Sequence, residues 1–369
     1  MGNIAVRIAT ELQLHRSILR IADGDKNTYL RARLYYFVYI CDHHFSIPYG
    51  RPPLTGEYEA VRSTDRFLKS VHAVVDDERL ISQINIWSIT SNVFQTFGTD
   101  SFQPVPTEMI DQIRRFNIAL DTWRADWNER NFGPHKHVGN YPHKGIGLHY
   151  HFAKLYLCAH SFRGISKSYT AAYCMPQEMV EIAEMAIASA TYILRTINID
   201  TELQSFLNGL PLYFDTMIAF AAVFLLKIST EYASKIQIDT AETLTLVRQN
   251  VAVLEDVGSK MKSKHLLIKI GLAIRILVER CQDVTDQQSS PPRELNAVNL
   301  KPIPVDLNPD NIPLENGVNS SQDNFPGFGL ECFDLLEPST HNMHSSFDPW
   351  LHNLAMEQNV FASWQQGVD

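Results

Sequence analysis

The sequence predicts an all-α protein. Between Ile4 and Cys281 the apolar residues recur mostly at spacings of three and four, as at Leu34, Phe37 and Cys41. This is the pattern of amphipathic helices, and the period-two alternation of strands is scarce over the same range. We therefore expect helices near residues 3–16, 28–46, 77–97, 106–130, 145–164, 176–197, 211–235, 240–257 and 262–281.

Stretches rich in Pro and Gly separate several of these helices. The clearest are residues 48–53, 98–106 and 132–147. Pro cannot continue a helix and Gly weakens one, so these stretches are predicted to be surface loops.

The charge of the chain is unevenly distributed. The net charge is -9 over 369 residues, but the part after Cys281 holds thirteen acidic and only two basic residues. The part up to Cys281 is therefore nearly neutral. We expect a helical domain over residues 1–281 and an acidic tail after it.

The tail is predicted to have two parts. Residues 282–314 are rich in Gln, Ser, Pro and Asn, so we expect a disordered linker. Large apolar residues return among acidic ones in residues 315–369, which is typical of activation segments that dock on a coactivator. The expected anchors are Phe333, Leu336, Trp350 and Leu354. The alternative is a terminal helix packed on the body, because residues 350–364 have helical period.

Secretion and membrane spanning are not predicted. The longest apolar run, Met217 to Leu226, is shorter than the roughly 20 residues that span a bilayer. No signal sequence is recognisable at the N-terminus. The five cysteines are widely scattered, so we expect reduced thiols and no zinc or disulfide framework in this chain.

Histidines raise the question of a metal site. His135, His137, His143, His149 and His151 lie in one stretch, and His43 and His44 are adjacent. However, His149 and His151 are two residues apart on a predicted helix and should point to different sides. We therefore expect no metal site.

Catalytic motifs are also missing. No nucleophile elbow, zinc-protease helix or phosphate-binding loop occurs in the sequence. The pair Asp76-Asp77 is predicted to be the acidic first turn of a helix rather than a magnesium site. The lysines between Lys260 and Lys269 are too few for a nucleic-acid surface. We therefore expect no catalytic residue and only indirect contact with DNA.

One segment carries a family resemblance. The stretch LRARLYYFVYICDHHFSIPYGRPPL at 30–54, preceded by AVRIATELQLHR at 5–16, resembles the regulatory domain of fungal zinc-cluster transcription factors. The matching elements are Leu14, His15, Arg16, Arg31, Arg33, Asp42, Gly50, Arg51 and Pro52.

This motif is predicted to be a structural clasp between helices. Arg31 and Arg33 would lie in the first turn of a helix, where a carboxylate partner or packing should hold them. Asp42 is expected to pair with a basic residue such as Arg51. Gly50 would allow a left-handed turn, and Pro52 would prevent a helix from continuing.

Two further stretches, 149–164 and 210–229, resemble the subgroup that contains activators of leucine biosynthesis and of extracellular proteases in moulds. The resemblance implies a nuclear transcription regulator of metabolic or secondary-metabolite genes, with a small-molecule effector and a zinc-cluster regulator as dimer partner. In this family zinc is held by an upstream DNA-binding cluster, which is not recognisable in these residues. The alternative is a truncated interaction module that modulates a full-length regulator.

Overall fold

The computed structural model describes residues 2–98, 104–130, 139–163, 175–233, 236–261 and 265–289. These residues form an all-α protein, and no β-strand occurs among them. The α-helices are α1 Gly2–Glu11, α2 Lys26–His44, α3 Glu59–Arg62, α4 Thr64–Leu68, α5 Val75–Phe97, α6 Ile110–Glu129, α7 Tyr141–Cys158, α8 Gln177–Ile199, α9 Thr201–Phe206, α10 Leu212–Glu231, α11 Thr240–Ser259 and α12 Leu266–Ser289. Short 3₁₀ helices cover Leu14–Asp23, Ile47–Tyr49, Thr107–Met109 and Ala159–Phe162.

Aspartate caps fix the start of three helices. The side chain of each cap accepts hydrogen bonds from backbone N–H groups of the first turn, which otherwise have no partner. The caps are Asp25 for α2, Asp200 for α9 and Asp239 for α11.

The helices pack into one continuous apolar core. At the N-terminal end α2 packs on α1, on the first 3₁₀ helix and on α5, while α5 continues the packing to α6 and α7. At the C-terminal end α8, α10, α11 and α12 pack on one another, and α7 joins the two groups through α8. Helices α5 and α7 therefore lie between the N-terminal motif and the C-terminal helices.

Helix α10 is the most apolar element. Its span Leu212–Thr230 is long and apolar enough to cross a membrane by length and composition, and 94% of it is buried inside the protein. Such burial is what a central core helix requires. We therefore interpret α10 as the core of the C-terminal group of helices.

Several predicted helix boundaries are wrong. Helix α1 ends at Glu11 rather than at residue 16, because Gln13 has a left-handed backbone with φ 54°. Helix α7 begins inside the predicted 132–147 loop, because Pro142 lies in the first turn, where no N–H is needed. Helix α12 continues to Ser289, so the predicted linker 282–314 begins with helical residues, and the rest of it lies outside the described residues.

Candidate functional site

The carboxylate of Asp42, near the end of α2, organises the loop that follows. Its Oδ2 atom accepts hydrogen bonds from the Leu54 N–H at 2.8 Å, the Thr55 N–H at 2.7 Å and the Thr55 hydroxyl at 2.7 Å. Asp42 is buried, whereas the side chain of Arg51 is exposed. The predicted pairing of Asp42 with Arg51 is therefore wrong, because the turn brings backbone donors to the carboxylate instead.

Gly50 makes that turn possible. Its φ is 59°, in the left-handed region that favours glycine, and its N–H donates to the Ile47 carbonyl at 2.9 Å. The N–H of Arg51 then donates to the Ser46 carbonyl at 2.9 Å, and Pro52 follows on the surface. The chain thus reverses direction and returns to α2.

The buried carboxylate of Asp77, on α5, bonds to residues at the beginning of the motif at 30–54 and just before it. The Arg33 Nε atom donates to Asp77 Oδ1 at 2.8 Å, and the Tyr29 hydroxyl donates to Asp77 Oδ2 at 2.6 Å. The same Oδ2 accepts the Val74 N–H at 2.9 Å, at the start of α5. Burial, followed by the bond to Asp77, raises the pKa of Tyr29 to about 12.

The prediction that Arg31 and Arg33 lie in the first turn of the helix is wrong. Helix α2 begins at Lys26, after the Asp25 cap, so Arg31 and Arg33 lie further along. Arg33 pairs with Asp77, and Arg31 donates to the Leu12 carbonyl at the end of α1. The acidic pair at Asp76 and Asp77 does form the first turn of α5.

Glu57 makes a further link between α2 and α5. Its carboxylate accepts hydrogen bonds from the Tyr39 hydroxyl on α2 and, at 2.8 Å, from the Ser88 hydroxyl on α5. Burial and the nearby Glu57 carboxylate raise the pKa of Tyr39. Asp42, Glu57 and Asp77 together position α2, α5 and the loop that follows α2.

Next to this clasp lies a buried ring cluster, which we define as His44 of α2, Trp87 of α5, His149 of α7 and Tyr213 of α10. The His44 ring stacks on Tyr213 with centroids 4.3 Å apart, and Trp87 meets the rings of His44 and Tyr213 edge-on at 5.0 Å. His149 lies 5.6 Å from Tyr213. All four side chains are buried, so the cluster joins the motif helix to the C-terminal group of helices.

Several polar atoms of the ring cluster lack a hydrogen-bond partner among the described residues. They are Nε2 of His44, Nε1 of Trp87 and Nε2 of His149. Nδ1 of His149 lies 2.7 Å from the Gly145 carbonyl, so it carries the proton and Nε2 is an acceptor. Burial lowers the pKa of His149 to about 4 and that of His44 well below its usual value. The two histidines of the cluster are therefore neutral at physiological pH.

The other histidines of the sequence pattern are dispersed. The His151 ring stacks on Tyr192 of α8 at 3.7 Å, away from His149, and His143 is exposed at the start of α7. Within the described ranges, no group of three or more His, Cys, Asp or Glu side chains could hold a metal ion. His135 and His137 lie outside these ranges, as do Phe333, Leu336, Trp350 and Leu354 of the tail.

We expect the buried His149 to weaken the fold in acid. The unfolded imidazole binds a proton near pH 6.5 and the folded one only near pH 4, so stability is lost as the pH falls between these values. Replacing His149 with Asn should remove on the order of 2 kcal/mol of the stability difference between pH 7.5 and pH 5. Urea unfolding at the two pH values measures this, and equal losses in both proteins would contradict it.

Asp215, in the first turn of α10, has the opposite pH dependence. Both carboxylate oxygens are buried and lack a hydrogen-bond partner in the part of the chain that the structure describes, and burial raises the pKa of Asp215 to about 8. The folded carboxyl keeps a proton that the unfolded one releases near pH 3.8, so stability is lost as the pH rises from about 4 to 8. At pH 7.5 this linkage costs the fold roughly 5 kcal/mol, and Asp215→Asn should recover a large part of it.

This gain should disappear near pH 3, where Asp215 is mostly protonated in both states. Urea unfolding of the two proteins at both pH values measures the difference. A stabilisation of the same size at both pH values would show that the substitution acts through packing rather than through charge.

Comparison with known proteins gives one informative match. The chain is 33% identical over 357 residues to the transcriptional activator of proteases prtT of Emericella nidulans, an alignment that covers 92% of this chain. This chain is thus similar in sequence to a transcriptional activator. It spans about half of the relative's length, 52%. No family model matches the chain, and no solved structure matches it.

The match to the activator extends beyond the helical body. The described residues end at Ser289 of 369, so an alignment over 92% of the chain must also include much of the tail. The alignment with the relative therefore includes part of the tail.

Part of the site is not evident from the sequence. The sequence identified Asp42 and Gly50, but not Asp77, Glu57 or the contact of Trp87 with Tyr213. The sequence does show the acidic residues at the start of α5 and the aromatic residues of α10, which are the signals of these contacts. Neither signal says which distant helix will be the partner.

Proposed function

We propose that this chain is the regulatory and activation part of a zinc-cluster transcription activator that acts in the nucleus and is not an enzyme. The main support for this proposal is the 33% identity to a transcriptional activator over 92% of the chain. The motif at 30–54 supports the zinc-cluster class through its sequence resemblance to the regulatory domain of that family.

The proposed target genes are metabolic, and the relative's name points to protease genes in particular. A secondary-metabolite cluster is the other target that the resemblance suggests. Contact with DNA would be indirect, through a zinc cluster outside these residues or through a dimer partner of the same class. No cofactor is proposed for the residues of this chain.

We assign activation to the tail and regulation to the helical body. Residues 315–369 hold eight acidic residues and no Lys or Arg, which keeps their large apolar residues accessible to a coactivator. In the body, the ring cluster is the proposed place for a small effector. Its neutral imidazoles accept hydrogen bonds and the Trp87 indole donates one, so an uncharged hydroxyl compound fits its chemistry.

A reporter assay tests this proposal. Residues 282–369 and the whole chain are each fused to an unrelated DNA-binding domain, and transcription of one reporter gene is measured. We expect strong activation by the tail and weaker activation by the whole chain. Equal amounts of the fusion proteins, checked by immunoblot, are the control.

A truncated interaction module is the second candidate. If neither fusion activates the reporter, the activator proposal is rejected in favour of this one. Co-purification with a full-length zinc-cluster regulator would then be the direct test.

A further inference from the structure

Helix α2 carries a row of apolar residues on the side that faces away from the core. The row runs along the helix to its cap and consists of Leu30, Leu34, Phe37, Cys41 and Phe45. Its large apolar residues are each between 37% and 51% exposed, and Cys41 is exposed as well. The opposite side of the helix is buried through Tyr35, Tyr36 and Tyr39. Helix α2 is therefore apolar on two sides, and the described residues cover only one of them.

Helix α1 adds a second row. Ile4, Ile8 and Leu12 recur every four residues, on α1 and just after it, and they are between 52% and 64% exposed. Helix α1 packs on α2, and the Arg31 guanidinium of α2 donates to the Leu12 carbonyl. This bond brings the end of the α1 row beside the α2 row. We call the eight residues of the two rows the α1–α2 apolar face.

The spacing of the α2 row indicates what kind of partner fits it. Its residues are separated by steps of four, three, four and four. Steps of three and four form the seam between two helices that pack side by side, because they keep the apolar residues on the partner along the whole length. Two neighbouring helices with such a face are half of a four-helix bundle. A second copy of the same helix pair would supply the other half.

The face is large enough for a stable dimer. With about 180 Å² for a fully exposed Leu, Ile or Phe residue, its seven large apolar residues leave roughly 600 Å² uncovered on each copy. Two copies would therefore bury roughly 1,200 Å² from these residues alone, and residues at the rim would add to this area. Specific, stable protein interfaces bury about 1,200 to 2,000 Å² in total.

The charges beside the face are largely balanced within each copy. Arg7, next to the α1 row, is paired with Glu11 at 3.1 Å, and Arg33, next to the α2 row, is paired with Asp77 at 2.8 Å. A further cation, Lys26, lies at the first residue of α2, before the row begins. Two such faces can therefore meet without bringing unpaired like charges together at their centre. A surface of this kind is self-complementary about a two-fold axis.

We propose that two copies of this chain associate through the α1–α2 apolar face, with α2 against α2 about a two-fold axis. Leu34 and Phe37, in the middle of the α2 row, lie nearest to that axis. The association goes beyond the proposed function, because activation by the tail does not require it.

Sedimentation equilibrium of the full chain tests this association. We expect a dimer at micromolar concentrations. Leu34→Glu with Phe37→Glu brings like charges together at the centre of the seam, so the dissociation constant should rise by at least about a hundredfold. The matched control, Ile118→Glu with Ile199→Glu, changes residues that are 65% and 77% exposed elsewhere and should leave the dissociation constant unchanged. Circular dichroism shows whether each variant is folded.

Cys41 locates the interface in the unchanged chain. It lies in the α2 row and is exposed in a single copy, so a second copy on this face would cover it. Alkylation of Cys41 is followed by mass spectrometry of its peptide, below and above the dissociation constant. We expect alkylation to be about tenfold slower where nine tenths of the chains are dimeric.

Two outcomes would overturn the proposal. A chain that is still monomeric at about 100 µM would lack the association. A dimer in which Cys41 reacts as fast as in the monomer would use a different surface. Neither outcome bears on activation in the reporter assay, so the dimer and the proposed function can fail independently.

Discussion

Replacing Asp77 with Ala should destabilise the protein by roughly 3 to 5 kcal/mol. Asp77 is completely buried and accepts hydrogen bonds from Arg33, Tyr29 and the Val74 N–H. Without its carboxylate, a partly buried guanidinium and a buried hydroxyl lose their partner at once. The substitution therefore weakens the contact between α2 and α5. Urea unfolding followed by circular dichroism measures it.

The neighbouring Asp76 provides the matched control. It lies in the same first turn of α5, but its side chain is about half exposed and lies 3.8 Å from Arg79. Exposed ion pairs contribute little, so Asp76→Ala should cost less than about 1 kcal/mol. Similar losses in the two variants would mean that the acidic first turn matters, and not the buried contacts of Asp77.

Replacing the four tail anchors with Ala should abolish activation in the reporter assay. Phe333, Leu336, Trp350 and Leu354 are the large apolar residues that we expect to enter a coactivator groove, and such anchors carry most of the binding energy of an interface. Loss of two or three anchors at roughly 1 to 2 kcal/mol each already lowers the affinity by more than a hundredfold.

The anchor variant keeps every Asp and Glu of the tail. We expect it to be inactive nonetheless, because acidity without the apolar anchors is not sufficient for activation. The control replaces the same number of polar residues in the tail, Asn319, Ser320, Ser321 and Gln322, with Ala. Activation should persist in that control. Full activity of the anchor variant would show that the tail acts through its charge and not through its apolar residues.

The helices themselves were predictable from the sequence, whereas their partners were not. The three- and four-residue spacing predicted all nine long helices among the described residues, because it reflects the burial of one side of each helix. The short helices α3, α4 and α9 were missed, since four to six residues carry too little periodicity. The break after α1 was missed because Gln13 is not a residue type that signals a left-handed backbone.

The site was predictable only where its contacts are local. Gly50 and the turn after α2 follow from a short stretch of sequence, so the clasp was expected. Asp42 was recognised as an anchor, but its partner was predicted by charge alone, and backbone donors at residues 54–55 took that place. The ring cluster joins residues 44, 87, 149 and 213, and no local pattern indicates which distant helices meet.

The burial of α10 has a consequence for how the chain must be synthesised. This helix acquires its covering from α8, made before it, and from α11 and α12, made after it. Until Ser289 has left the ribosome, a segment apolar enough to cross a membrane is only partly covered. Nascent chains should therefore depend on chaperones at this stage. Recombinant fragments that end before α12 should aggregate, whereas those that end after Ser289 should remain in solution.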